Sequence, residues 1–598
     1  MNRTLNLTVF FIFFIFCLVL FANLTKNNEK IVKITKISKY SVSQILYGTG
    51  KQIKIKRIMM RNIFILLCMT AFFTFSSESQ NDSLKSRAEL CSYEETSLYK
   101  DIIRFLNYCK ERSSEIKTET ILTSAEGKEI PLVKLCGNKS KGKIKTKILI
   151  VSGVHSGEVD GKEASFVLIR EILFGRLNYF LYNCDVFIIP TLNVDGNDKI
   201  DRYNRLSQNG PPGGVGLSDF PNGMNINRDY SKHEIPETEA LIRNVINQYD
   251  PHIIIDCHTT NGSYHAYALT YAPPLNPNTN KRITGFLKNE LFPFLTRDLF
   301  EKYKYRTQYY GNFRDDKKPE MGWETFNYRP RYSNNYFGLI NRIGILSEGY
   351  SYLELKKRID VTFKFVTGII DYAARNGEKI RSIIEEADRD NIKRLKSRNN
   401  DSIAVTCELY EEKMPIEIYI GAVDSIKDAF NKGYTFKMKE DYEKLIYAKD
   451  FTNFRSSLSI KMPYGYLIPK QFKNVISNLK THGIRIFTIK EHAKSDVEVF
   501  LIDSLHRSKS KFQAHYPLSI YGKYEKRSIT LNKGDYFIPM DQVKSNLIPQ
   551  LLEPLCQDGY VYWNFFDEYF ELYSKENNIQ YPVVRILSPV GTKTINFK

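Results

Sequence analysis

Four apolar runs constrain this chain more than any other feature. They are "KILIVSGV" from Lys147, "CDVFIIPTLN" from Cys184, "PHIIIDCHT" from Pro251 and "RIGILSEGY" from Arg342. None alternates apolar with polar, as a strand with one wet face would. Continuous apolar strands are covered on both faces, which is the habit of parallel sheets. Between them lie stretches with apolar residues at helical spacing: "EASFVLIREIL", "IPETEALIRNVINQY" and "KRIDVTFKFVTGIIDYAARN". Pro236 suits the first turn of the second of these. Upstream, "YEETSLYKDIIRFLNYCKE" from Tyr93 reads as a helix, and "TETILTSAEGKEIPLVKLCG" as a hairpin turning at "AEGKE". The fold class this predicts is α/β. It has a mixed, mostly parallel central sheet with helices on both faces.

The chain has 598 residues, more than one ordinary domain holds. From about Ser382 it turns charged, and beyond Ser402 it offers short strand-like runs such as "GYTFKMKE", "IRIFTIK" and "VEVFLI". We therefore expect a first, α/β domain over 80–387, a linker over 388–402 and a smaller β-rich C-terminal domain over 403–598. Residues 1–79 read as a targeting region. Two apolar segments, 7–21 and 63–75, each have a basic flank and a polar exit. The second is the better signal peptide (60–79), starting at Met59 or Met60, so the upstream part reads as a mis-called extension. This predicts a secreted or periplasmic protein. The alternative is an N-terminal anchor, although both cores are shorter than the ~20 residues a span needs.

The net charge is +19, but Lys is scattered and forms no basic stripe. That pattern reads as compositional bias, not as a nucleic-acid partner. The nine Cys include no CxxC pair, so a Cys-based zinc module is not expected. Cys91 and Cys109 are a candidate pair across a helix.

Three of the strands end in residues capable of metal chemistry. "ILIVSGVH" ends at His155, with Glu158 three residues on; "IIIDCH" ends at His258; "IGILSE" ends at Glu348. Ligands gather at the carboxyl ends of strands in open α/β sheets. Two imidazoles and one carboxylate leave a fourth position for water, as in catalytic zinc sites. In the long loop before the second helix, "NINRDY" carries Asn227 and Arg228. An Arg fork matches a carboxylate, and the competing assignment is an ion pair with Asp229. "DRYNRLSQNGP" adds Arg202 and Arg205, either of which could hold an oxyanion.

The motifs "GVHSGE", "NVDGNDKIDRYNR", "NINRDY", "IDCHTT" and "ILSEGYSY" occur in the order seen in zinc metallocarboxypeptidases. Over roughly residues 90–380 the chain resembles that family (carboxypeptidase A-like, peptidase family M14), as a bacterial-type secreted member. The resemblance implies one Zn²⁺ per chain held by His155, Glu158 and His258, the His₂Glu set that carboxypeptidase A exemplifies. It implies Glu348 as general acid/base and Arg205 as the oxyanion partner, with Arg202 a basic companion. Asn227 and Arg228 would grip the substrate's free C-terminal carboxylate. The family's mobile tyrosine has no clear counterpart; of Tyr332 and Tyr336, Tyr336 is the assignment. The alternatives are a zinc amidase or deacylase on cell-wall peptides or N-acyl amino acids, and an inactive peptide- or glycan-binding relative.

Overall fold

The computed structural model describes residues 82–137, 144–220, 222–396, 401–573, 579–591 and 595–597. The two apolar N-terminal segments, and with them the signal-peptide and anchor expectations, lie outside the described residues. No helix among the described residues is long and apolar enough to cross a membrane. The seven described cysteines are free thiols, Cys91 and Cys109 included.

The first half is built on a sheet of eight strands. In chain order these are β1 (Ile116–Thr123), β2 (Glu129–Leu135), β3 (Thr146–Ser152), β4 (Cys184–Ile189), β5 (Ile253–Thr260), β6 (Leu269–Ala272), β7 (Thr307–Tyr309) and β8 (Ile343–Tyr350). Their spatial order is β1-β2-β4-β3-β5-β8-β6-β7. The four central strands, β4, β3, β5 and β8, are parallel. β2 and β6 join this core antiparallel, β1 pairs antiparallel with β2, and β7 runs parallel to β6. Alternate residues of each central strand feed opposite cores. Leu149 and Val151 of β3 enter one apolar cluster and Ile148 and Ile150 the other. Phe187 and Ile189 of β4 are likewise split from Val186 and Ile188. This two-sided burial is why the runs are apolar throughout.

Helix α1 (Tyr99–Arg112) starts later than the periodicity from Tyr93 predicts. Asp101 accepts from the Leu98 amide and fixes the start there, while Thr96 and Ser97 are drawn off to the Glu163 carboxylate. Helix α2 (Asp160–Phe174) follows β3, a helical segment α3 spans 236–249, and α4 spans 281–303. Helix α5 (Ser333–Leu339) leads into β8, and α6 (Leu355–Lys393) continues from it. Helix therefore runs through residues 388–393, where the charged composition reads as linker.

The second half contains β9 (Ser402–Tyr410), β10 (Ile416–Ile420), β11 (Val423–Lys427), β12 (Tyr434–Met438), β13 (Lys444–Ala448) and β14 (Asn453–Lys461). There follow β15 (Gly465–Ile468), helix α7 (Lys473–Thr481), β16 (Phe487–Ile489), β17 (Ala493–Arg507), β18 (Leu518–Leu531) and β19 (Tyr536–Pro539). Helices α8 (Leu547–Leu552) and α9 (Asp567–Tyr573) and strand β20 (Val584–Ile586) complete it. A second sheet runs β18-β17-β20-β15-β19-β16, with the short strands Ile595–Phe597 beyond β16 and Ile579–Gln580 on β17. The aromatic stretch "YWNFFDEYFE" is core: Trp563, Phe566 and Phe570 are buried. Residues 82–598 form one compact unit. One apolar cluster contains Leu149, Ile254 and Leu241 of the first half and Ile468, Val475, Ile538 and Tyr581 of the second.

Two histidines meet inside that joint. The rings of His233 and His482 lie 4.0 Å apart, centre to centre, and both residues are buried. Burial pushes His233 down to about 3 and His482 well below the usual range, and it also pushes His265 to about 3. In the unfolded chain such groups titrate near ~6.5. The unfolded state then binds protons that the folded state refuses. Their contribution is present in full above pH ~6.5 and is lost as pH falls towards about 3, at up to ~1.4 kcal/mol per histidine per pH unit. We expect the melting midpoint to drop between pH 7 and pH 5. His233→Asn, which suits the left-handed backbone there (φ 51°), should flatten that slope. Equal slopes for the two proteins would refute the assignment.

Candidate metal centre

Three strand ends converge because the parallel ladder holds them in register. Ser152 of β3 pairs with Cys257 of β5, and His258 of β5 pairs with Glu348 of β8. The turn after β3 carries His155 and Glu158. Gly153 sits at φ 61°, and a Cβ there would lie 2.3 Å from Thr191 Oγ1. A Cβ on Gly157 would lie 2.7 Å from Arg205 Cδ. The small residues of this turn thus make room for Thr191 and for Arg205.

The donor atoms of His155, Glu158 and His258 all lie within 4.8 Å of one another. His155 Nδ1 is 3.1 Å from Glu158 Oε1, and His258 Nδ1 is 2.8 Å from Glu158 Oε2. The other nitrogens face outward. His155 Nε2 is 3.0 Å from Asn225 Oδ1, and His258 Nε2 is 2.9 Å from Asp256 Oδ2. With the proton of each ring on Nε2, as a bound ion would require, both Nδ1 lone pairs would be free to serve as ligands. Two imidazoles and a carboxylate so arranged fit a divalent zinc-type ion. His258 has carboxylates at both nitrogens. Burial opposes its charge, but Asp256 and Glu158 outweigh this and raise its basicity.

Burial would also push the Glu158 carboxyl up. The His155 and Arg205 charges and the two imidazole hydrogen bonds prevail and hold it well below the usual range. Arg205 donates from Nη1 to Glu158 (2.9 Å), from Nη2 to the Thr259 carbonyl (2.8 Å) and from Nε to Gln208 Oε1 (3.0 Å). Arg202 stands apart. It is half exposed and pairs with the buried Asp428 of the β11–β12 hairpin at 2.8 Å. Glu348 keeps part of its surface open. Burial, countered by His258 and reinforced by Glu158, pushes its carboxyl up to about 8. A carboxyl raised from its ordinary range holds a proton more readily, which suits a group that must return one.

Asn227 and Arg228 lie in a short 3₁₀ turn, Ile226–Arg228. Asn227 Oδ1 accepts from the Ser333 amide at 3.2 Å, which fixes that side chain. Arg228 does not pair with Asp229, which is engaged by Lys232 and by the amides of Glu234 and Ile235. Its guanidinium instead lies over the Tyr332 ring, 4.6 Å from the centroid.

Tyr336 is not brought to this cluster, and its assignment as substrate tyrosine is corrected. It is fully buried, with its hydroxyl 3.0 Å from His482 Nδ1. Helix α5 turns Tyr336 and Phe337 into the core, and its neighbour Tyr332 meets Arg228. Other residues of the site carry no legible signal in the sequence. Tyr310 is one: burial, with Glu348 and Glu158 close by, pushes its phenol up to about 12, so it stays a hydrogen-bond donor at neutral pH. Tyr310, Phe326 and Tyr332 form a row of edge-on rings at 5.5 and 5.3 Å. Gln208, Asn225 and Asp256 are the others; each lies inside a quoted motif, but none is marked there as part of the centre. A cleft of about 830 Å³, lined by Lys288, Glu412 and Asp450 among others, shares no lining residue with the centre.

Residues 102–364 match the family profile described as "Zinc carboxypeptidase", peptidase family M14. "Carboxypeptidase 2" of Trichophyton rubrum is 21% identical over 486 residues, covering 77% of this chain and 81% of that protein. "Carboxypeptidase D" of Homo sapiens is 23% identical over 171 residues, 25% of this chain but only 12% of that protein. Among solved structures, a metallo-carboxypeptidase from Burkholderia cenocepacia is 15% identical, with a TM-score of 0.35, over 46% of this chain and 68% of that one.

Proposed function

Because residues 102–364 make up a zinc carboxypeptidase domain and the chain is a peptidase of the hydrolase class, we propose that it removes C-terminal residues from peptides, with one zinc ion held by His155, Glu158 and His258. The observation that carries this reading is the convergence of the two Nδ1 atoms on Glu158, with Glu348 in register beside His258. When bound, zinc supplies Lewis acidity and lowers the pKa of a coordinated water. Glu348 takes the proton of the attacking water and returns it to the leaving amine. Arg205, held by Gln208 and the Thr259 carbonyl, faces the charge that develops on the scissile carbonyl. Arg228 pairs with the free carboxylate, and the Asn227 amide nitrogen is the donor that side chain has to offer. The reading extends to a secreted or periplasmic location, supported by the basic-flanked apolar segments at 7–21 and 63–75.

The test compares peptides with free and amidated C-termini, with zinc quantified in the same preparation. Free-acid peptides should lose residues one at a time from that end. Chelator should abolish the reaction and added zinc restore it. Equal cleavage of the amidated peptide, or indifference to chelator, would sink the proposal.

A further inference from the structure

The second half of the chain reaches the metal centre directly. Strands β17 and β18 form one long hairpin, and its tip lies against the turn that carries Asn225 to Arg228. Gln513 Oε1 accepts from the Asn225 amide at 2.7 Å, and Gln513 Nε2 approaches the Gly223 carbonyl at 3.5 Å. The Asn225 side chain is the one that meets His155 Nε2, and its Nδ2 is held by Asp219 at 2.7 Å. One residue, Asn225, 288 positions back along the chain from Gln513, thus links the hairpin tip to a metal-centre imidazole.

The tip is fixed rather than loosely draped. Gln513 and Ala514 both adopt left-handed backbone, at φ 52° and 65°, which L-residues rarely do. Phe512 and His515 bracket them with two backbone hydrogen bonds, of 2.8 and 3.1 Å. His515 reaches Glu234 at 2.7 Å and Asn564 at 3.0 Å. The Phe512 ring lies parallel to Trp563, and Arg331 lies over both rings while bonding Asp558 at 2.8 Å. Arg331 immediately precedes Tyr332, the ring beneath Arg228. The tip and its supports therefore hold both sides of the Arg228 position: the Gly223–Asn225 segment and the Arg331–Tyr332 segment.

We propose that the β17–β18 tip is part of the substrate-carboxylate subsite, with Gln513 a positioning residue. It fixes the Asn225–Arg228 turn, orients His155 through Asn225 and aligns Arg228 for its ligand. This rests on the metallocarboxypeptidase reading and assigns a role to the C-terminal region within it. A metal-ligating imidazole depends on the partner of its second nitrogen, and loss of such a partner costs about 10–100-fold in metal affinity. Gln513 acts one bond further out, so the effect should sit at the low end.

The test uses the full chain with Gln513→Leu, which fills the space without the acceptor, and Gln513→Glu, which keeps it. Zinc affinity is measured by competition with a chromophoric chelator, and KM and kcat on a free-acid peptide. Gln513→Leu should weaken zinc binding and raise KM, each by about tenfold, with kcat changed less and the melting midpoint preserved. Gln513→Glu should stay within about twofold of wild type in zinc affinity. Wild-type zinc affinity and KM in Gln513→Leu would overturn the proposal. If the wild-type chain binds zinc yet cleaves no peptide, the peptidase reading fails. The zinc titration of the variants then still decides the part played by Gln513.

Discussion

Glu348→Gln is expected to keep its metal and lose its turnover. Glutamine preserves the shape of the side chain and cannot take a proton. The donors that converge on one point are His155, Glu158 and His258, so zinc content should stay at one per chain. The loss in kcat should be about 10²–10⁴-fold, the usual weight of a positioned acid or base, with KM little changed. β8 lies between β5 and β6 in the interior of the sheet, so the substitution should not shift the backbone. Single-turnover kinetics and zinc quantification on one preparation check both halves of the expectation. A wild-type rate would remove Glu348 from the chemistry, and loss of zinc would make it a structural part of the metal centre.

The second large effect is one of stability. Arg358 is completely buried. Its Nε donates to Asp160 Oδ1 at 3.0 Å, and its two terminal nitrogens donate to the carbonyls of Asn209, Gly210, Ser351 and Leu353 at 2.6–2.9 Å. Asp160 in turn accepts from Thr259 Oγ1, whose backbone bonds both Glu158 and Arg205. Arg358→Ala leaves the buried Asp160 carboxylate without its cation and takes a donor from four carbonyls, of which only Gly210 and Ser351 keep another, which should cost about 3–5 kcal/mol. Much of a domain's stability is of that size, so that variant is expected to be recovered in low yield. Arg358→Lys keeps the charge but loses the planar fork and should fall between. Denaturant titration measures it. A lysine variant as stable as wild type, or an alanine variant within about 1 kcal/mol, would show that the fork is dispensable.

The centre was legible where the chemistry sits on the strand itself. His258 and Glu348 occupy the last turns of apolar runs, and parallel register brings strand ends together wherever the strands fall in the sheet. What supports the centre was not legible. Gln208, Asn225 and Gln513 are ordinary polar residues in loops; Gln208 takes its meaning from Arg205, and the other two from hydrogen bonds that reach 70 and 288 positions along the chain. Tyr336 shows the reverse error: its place ahead of Glu348, where the resembled family carries a substrate tyrosine, suggested the substrate, while every residue of α5 is buried and Tyr336 joins the core. The β-rich character of the second half was readable from its short apolar runs. Its union with the first half was not, because an apolar side chain in a pattern does not say which core it joins.

That union bears on the order of events during synthesis. Leu149, Val151 and Ile254 share one cluster with Tyr581 and Val583. The N-terminal part of a chain usually settles while the rest is still being made. Here one face of the first sheet waits for residues made long after its own strands. An unfinished chain carries its parallel strands with that face bare, and such surface invites aggregation. The hairpin tip proposed to brace His155 is made after every strand of that sheet, so the centre too is completed late.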